Sequence, residues 1–271
     1  MSAPTAHEIP APDGALPGLL WLPAGDGPAP GLVVLQEIFG VGRYIQSWCA
    51  ALADQGYAVL APQLYARLGE GEGGDAGSGP GDSDGTVGET DAQGIPVVER
   101  PAADGGLEAG MALAQRVDWE LAARDGLAAL AELHGLDGVD ADRVGLLGFC
   151  FGGGLAYDVA ARATDAGKPP AALVSYYGSA LPSLLPLAEK VTCPSLHHFG
   201  TADAFIPMPA VEQVRAAVTA DGTRPQVRFE LHEGAGHAFD NPDPMFHHAA
   251  ASAAAAEQTW AFLAEVLPRA D

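Results

Sequence analysis

Arg143–Leu155 reads RVGLLGFCFGGGL. Val144–Leu147 is a short apolar run of the kind a doubly buried strand uses. Gly148-Phe149-Cys150-Phe151-Gly152 follows at its end and opens an apolar stretch that continues as a helix through Leu155 and Val159. Gly-x-nucleophile-x-Gly at a strand-to-helix junction is the pattern of a tight elbow whose central side chain stands above a sheet. The spacing follows from sterics. The turn strains the backbone at its centre, so the flanking residues must be small, and Gly148 and Gly152 leave that room. The apical side chain then meets the positive end of a helix, which favours a thiolate. That side chain is Cys150, not the commoner serine. Read alone, Cys150 equally fits a small buried hydrophobe, and a glycine-rich junction equally fits a nucleotide-binding loop.

On either side of the elbow the chain alternates strand and helix. Ala15–Leu22 reads as an opening strand or hairpin, Gly31–Leu35 (GLVVL) and Tyr57–Ala61 (YAVLA) as buried strands. Between them a helix is predicted over Arg43–Asp54, with Ile45, Trp48, Cys49 and Leu52 on one face. Further strands are predicted at Ala171–Tyr177, Pro194–Phe199 and Gln226–His232. Helices are predicted over about Gly110–His134 with a break near Val117–Trp119, over Pro209–Ala220 and over His247–Leu267. This pattern implies an α/β fold in one domain, a mostly parallel central sheet with helices on both faces. Arg67–Leu107 interrupts it with a glycine-rich, acidic insert, centred on residues 69–106, that offers almost nothing to pack. It reads as a weakly ordered surface loop, with a lid as the alternative.

The chain has 271 residues, 48% of them apolar, enough for a large core, and a formal net charge of −22. Nucleic acid and anionic membrane surfaces would repel such a surface. Lys168 and Lys190 are its only lysines. Three widely spaced cysteines, Cys49, Cys150 and Cys193, make neither a disulfide framework nor a zinc pattern. The first residues, MSAPTAHEIPAPDG, lack a basic segment followed by an apolar run, and no stretch approaches a membrane span. The expectation is a reduced, cytoplasmic protein, monomeric or homodimeric.

In parallel sheets functional groups gather at the carboxyl ends of strands. Four polar residues fall there: Glu37, Cys150, Asp203 and His237. A cysteine nucleophile needs a base, and the base an orienting acid. His237 lies in a glycine-flanked loop that can reach the elbow, and Asp203 follows a strand and a Gly-Thr-Ala turn. Singly, each has an ordinary use as a surface histidine or a turn former. Together they run in the nucleophile–acid–histidine order of α/β-hydrolases. Glu37, between Leu35 and the apolar Ile38 and Phe39, is expected to be desolvated and its carboxyl pKa raised; it could take or hold the thiol proton, or serve as a cap. The backbone N–H groups of Phe151 and Ile38 are the candidate oxyanion hole. His197-His198 and His247-His248 are adjacent pairs; residues so placed on a strand point to opposite faces, so no metal site is expected.

The stretches QEIFGV (Gln36–Val41), DQGYAVLAPQLYAR (Asp54–Arg67), VGLLGFCFGGGLA (Val144–Ala156), YYG (Tyr176–Gly178), GTADAFIP (Gly200–Pro207) and EGAGHAF (Glu233–Phe239) resemble the dienelactone hydrolase (carboxymethylenebutenolidase) family over nearly the whole chain. The resemblance implies an α/β-hydrolase domain that opens lactones and related esters of small molecules without a cofactor. It implies a Cys150–His237–Asp203 triad and Glu37 as the gate that releases a thiolate when substrate displaces the carboxylate. Phe39 and Tyr177, in the matching stretches, are candidate substrate contacts. Four residues past the histidine, where the family carries a carboxylate-binding arginine, this chain has Asn241. Around Glu108–Gln115 it offers no arginine or aromatic residue, although Arg116 is near. The alternative readings are an esterase of a different substrate class (a hydrophobic-pocket esterase or a hydrolase of a biosynthetic lactone), a non-catalytic binding protein, and a redox thiol protein using Cys150, which Cys49 or Cys193 could approach in space.

Overall fold

The computed structural model describes residues 2–25, 27–68 and 89–269. Most of the acidic insert, residues 69–88, therefore lies outside the described residues. Among the described residues the sheet has eight strands in the order β1-β2-β4-β3-β5-β6-β7-β8. β1 (Thr5–Ile9) and β2 (Leu16–Trp21) form the antiparallel edge. β2 also runs antiparallel to β4 (Ala58–Pro62), whose other neighbour is β3 (Ala29–Leu35). From there β5 (Val139–Phe149), β6 (Leu173–Tyr176), β7 (Ser195–Gly200) and β8 (Val227–His232) are all parallel.

The alternation of β3 explains why it needs apolar residues at every position. Val33 and Leu35 face one core layer, with α3 (Trp119–Gly135), α4 (Phe151–Asp165) and α5 (Met208–Thr219). Leu32 and Val34 face the other, with α1 (Arg43–Asp54) and α6 (Ala249–Val266). α1 carries the predicted boundaries. The predicted break is also present: α2 (Gly106–Gln115) stops short of α3, whose first turn is capped by Asp118 accepting from the Leu121 N–H at 2.9 Å. No helix among the described residues is long and apolar enough to cross a membrane.

The insert's described end differs from expectation. Ile95 and Val98 are buried in a third small cluster with Tyr65, Ala109 and Leu113, and Val97 is buried beside them. The chain before the insert is anchored as well, by a two-pronged pairing of Arg67 with the buried Asp125 of α3 at 2.8 and 3.0 Å.

β7 places its two histidines on opposite faces, as the strand period requires. His197 meets Ser195 at 3.1 Å, whereas His198 meets His232 and Thr259 of α6, each at 3.1 Å. Burial holds His197 down to about 4, and burial with the neighbouring His232 and His197 holds His198 well below the ordinary range. A depressed histidine leaves the folded state short of protons relative to the unfolded one. Its stability contribution is full above about 6.5 and is lost as pH falls through the folded value. Glu37 has the opposite sign, since its raised pKa costs stability as pH rises, but it is common to wild type and a histidine variant. Between pH 7 and pH 5, wild type is therefore expected to lose about 2 kcal/mol more stability than His197→Gln, from 1.5 pH units below 6.5. Urea unfolding at the two pH values checks this; equal losses in the two proteins would refute it.

Candidate active site

The elbow forms at the junction of β5 and α4. Cys150 has φ of 52° and ψ of −113°, a conformation that L-residues avoid and that needs support from its surroundings. That support is backbone hydrogen bonding. The Cys150 N–H donates to the Tyr176 carbonyl at 2.9 Å, and its own carbonyl accepts from Gly153, Gly154 and Ser179 at 3.0–3.2 Å. The two flanking glycines meet backbone on every side: a Cβ at Gly148 would overlap the Gly152 carbonyl, and one at Gly152 the carbonyl oxygens of Leu35 and Gln36.

The loops after β7 and β8 bring the other two residues to the thiol. His237 Nε2 lies 3.1 Å from Cys150 Sγ, and its Nδ1 lies 2.7 Å from Asp203 Oδ2. Asp203 is fixed in turn, its Oδ1 accepting from the N–H groups of Phe205 (2.8 Å) and Ile206 (2.9 Å). Burial pulls the His237 pKa down, but the charge of the Cys150 thiolate and the hydrogen bonds to Asp203 and Cys150 outweigh it and raise it above the ordinary 6.5.

Glu37 follows β3 in a tight turn closed by the Gly40 N–H on the Glu37 carbonyl, with φ of 83° at Gly40. The turn is held from below. Tyr65 Oη donates to the Ile38 carbonyl at 2.6 Å, and the Val98 N–H to the Phe39 carbonyl at 3.0 Å. The insert's buried end thus supports the loop that carries Glu37 and Ile38. The Glu37 side chain is buried and accepts from Asn241 Nδ2 at 2.7 Å. Burial raises its pKa to about 8, with the Asn241 bond and the nearby His237 working against the rise. Here the Glu37 carboxyl pairs with Asn241 while Cys150 pairs with His237.

The loop of His237 has a second anchor that sequence reasoning missed. Asp240, buried, accepts from Tyr44 Oη (2.6 Å), Trp48 Nε1 (2.8 Å) and Ser252 Oγ (2.6 Å). Its partners lie on α1 and α6, up to 196 residues away in sequence, so no local pattern signals it.

Cys150 and His237 open into a cavity of about 270 Å³ walled by Ile38, Phe39, Leu107, Met111, Phe151, Phe205 and Phe246, with Glu37 at its edge. Phe151 is the first residue of α4, so its N–H has no partner a turn earlier. Phe39 lines the wall. Tyr177 does not. It is fully buried, its ring 5.4 Å from that of His237 and its hydroxyl 3.2 Å from Tyr44, so it supports the histidine from behind. Arg116 also faces away, donating to the Leu68 carbonyl at 3.1 Å. Cys49 and Cys193 are buried free thiols whose pKa values burial pushes up, that of Cys193 to about 12. A larger cleft of about 780 Å³ lies at the amino ends of β3 and β5 and holds none of the four candidate residues.

The dienelactone hydrolase family matches residues 16–269. Carboxymethylenebutenolidase of Pseudomonas putida is 32% identical over 232 residues, covering 86% of this chain and 84% of its own. A crystal structure of a Klebsiella pneumoniae protein provisionally named a dienelactone hydrolase superposes with a TM-score of 0.71 at 26% identity, over 97% of this chain and 99% of that one. The dienelactone hydrolase-like promiscuous phosphotriesterase P91, from metagenomic libraries, shares the fold at TM-score 0.70 and 23% identity, over 97% and 99%. With its parallel sheet, its elbow and these relatives, the chain belongs to the dienelactone hydrolase family of α/β-hydrolase fold and is a lactone or ester hydrolase.

Proposed function

We propose that the chain hydrolyses its lactone or ester through a thioester at Cys150. The observation that carries this reading is the continuous line from Cys150 Sγ to His237 (3.1 Å) and on to Asp203 (2.7 Å), opening into the cavity. The Cys150 thiolate attacks the substrate carbonyl carbon, and the carbonyl electron pair moves onto oxygen. The N–H groups of Phe151 and Ile38 receive that charge; the hydrogen bond from Tyr65 to the Ile38 carbonyl fixes the orientation of the loop. Collapse breaks the carbon–oxygen bond, and His237 gives its proton to the departing alkoxide. Water then loses a proton to His237 and attacks the thioester, expelling the Cys150 thiolate and releasing the acid. Asp203 stabilises the imidazolium and keeps its own charge throughout.

Glu37 is the gate. Turned to Asn241, as described above, it leaves Cys150 to His237; turned to Cys150, it would hold the thiol protonated. A carboxyl whose pKa lies near 8 can switch between these roles close to neutral pH.

Intact-protein mass spectrometry after brief mixing with 4-nitrophenyl acetate tests the reading. A single acetyl adduct is expected that maps to Cys150 and decays with continued incubation. Turnover without an adduct on Cys150, or an adduct that never decays, would overturn it.

A further inference from the structure

The Cys150 cavity is walled mainly by apolar side chains, with Glu37, Gln115 and Ser179 the polar residues beside Cys150 and His237. Phe39, Phe151 and Phe246 line it, and Met111 and Phe205 form a rim that leaves them 38% and 59% exposed. Among the described residues, neither lysine nor arginine lines it. Its one basic group is His237, already engaged on both nitrogens. Glu37 adds a carboxyl at the edge.

Arg43 and Arg100 line a separate hollow of about 290 Å³, which shares Glu37 and Phe39 with this cavity. Asn241 cannot replace a cation. Its carbonyl takes the Asp243 N–H at 2.9 Å, which turns its amide nitrogen to Glu37, and the whole side chain is buried. Residues 69–88 contain no Lys, Arg or His, only the acids Glu70, Glu72, Asp75, Asp82 and Asp84, so they supply no positive charge in any arrangement. The net charge of −22 acts in the same direction.

We propose that this cavity takes neutral, apolar acyl groups, open-chain or lactone, and discriminates against substrates that carry a carboxylate. The proposal rests on the thioester reading above and deepens it. A carboxylate placed here would lose its water and meet no lysine or arginine, beside a carboxyl and four phenylalanine rings, with only the neutral side chains of Gln115 and Ser179 to offer it a hydrogen bond. The exclusion is as much a matter of what the walls repel as of what they hold. The volume accommodates about nine groups the size of a water molecule, at ~30 Å³ each. An acyl chain or ring of that size fits within it, and its far end would meet the apolar rim of Met111 and Phe205.

The test compares 4-nitrophenyl 5-methylhexanoate with the mono-4-nitrophenyl ester of glutaric acid, whose carboxylate replaces the isopropyl group at similar volume. Rates are corrected for the reaction without enzyme. Wild-type kcat/KM is expected to favour the neutral ester by at least about 30-fold, the scale of an unpaired anion against an apolar wall. Gln115→Arg, at the exposed end of α2 on the cavity wall, is expected to narrow that ratio about tenfold through a gain on the glutarate ester. Calorimetric binding of the corresponding amides to Cys150→Ala reads the same preference without turnover. A glutarate compound hydrolysed or bound as well as its neutral partner overturns the proposal. Preferential binding of the neutral amide without Cys150-dependent hydrolysis of the ester would leave the substrate class standing and overturn the thioester reading.

Discussion

Cys150→Ala is expected to lower kcat on a neutral ester by at least about 10⁴-fold while leaving the fold intact. The size follows from what is removed. Without the thiolate no acyl-enzyme forms, and what remains is binding, the backbone N–H groups and a histidine with nothing to deprotonate except water. His237→Ala is expected to fall by a similar factor, because the thiol loses the base that lies 3.1 Å from its sulfur. The double variant is expected to fall no further than either single one, since residues that act as a unit are grossly non-additive. Alanine at position 150 occupies the same φ of 52° as cysteine and keeps every backbone hydrogen bond of the elbow, so its stability should stay within about 1 kcal/mol of wild type. Steady-state kinetics with thermal unfolding of the same preparations decides. Additive losses in the double variant, or a Cys150→Ala protein retaining a tenth of the activity, would remove Cys150 and His237 from a common mechanism.

Much of this site was legible because local sequence carries its chemistry. The elbow needs glycines at two fixed offsets from the nucleophile, and the strands that deliver Glu37 and His237 are an apolar run and an alternating one. α1 could be read to the residue because one face repeats at helical spacing. What was not legible is long-range. β1 exposes most of its side chains and buries only Ile9 fully, so it has no periodic signature and stands out only once paired with β2. Ile95, Val97 and Val98 are three apolar residues in a polar stretch; Tyr65 and Leu113, distant in sequence, turn Ile95 and Val98 into a core. The pairing of Glu37 with Asn241 spans 204 residues. Tyr177 illustrates the converse error: membership in a matching stretch placed it at the site, but β6 delivers it behind His237, not into the cavity.

Gly152→Ala is expected to prevent the chain from folding to a stable native state. The added methyl would overlap the carbonyl oxygens of both Leu35 and Gln36, which are backbone atoms at the end of the central strand β3, with no side chain that could rotate away. Gly148→Ala meets the same difficulty from the other side, against the carbonyl of Gly152 itself. Relief requires moving α4 away from β3, which unpacks the core layer that α4 shares with α3 and α5 at the centre of the sheet. A cost above about 4 kcal/mol is a large part of the roughly 5–15 kcal/mol that holds a domain together. Gly135→Ala is the control. It lies at the end of α3 with open space where its Cβ would go, and the same methyl there is expected to be neutral or to stabilise by up to about 1 kcal/mol. Soluble yield and urea unfolding of the two variants separate the cases, and a Gly152→Ala protein as stable as Gly135→Ala would refute the close approach. The same approach sets up the chemistry. Only because the start of α4 presses on the end of β3 do the N–H of Phe151 and the loop of Ile38 sit on one side of Cys150, so relaxing the packing at Gly152 would also pull apart the two halves of the proposed oxyanion hole.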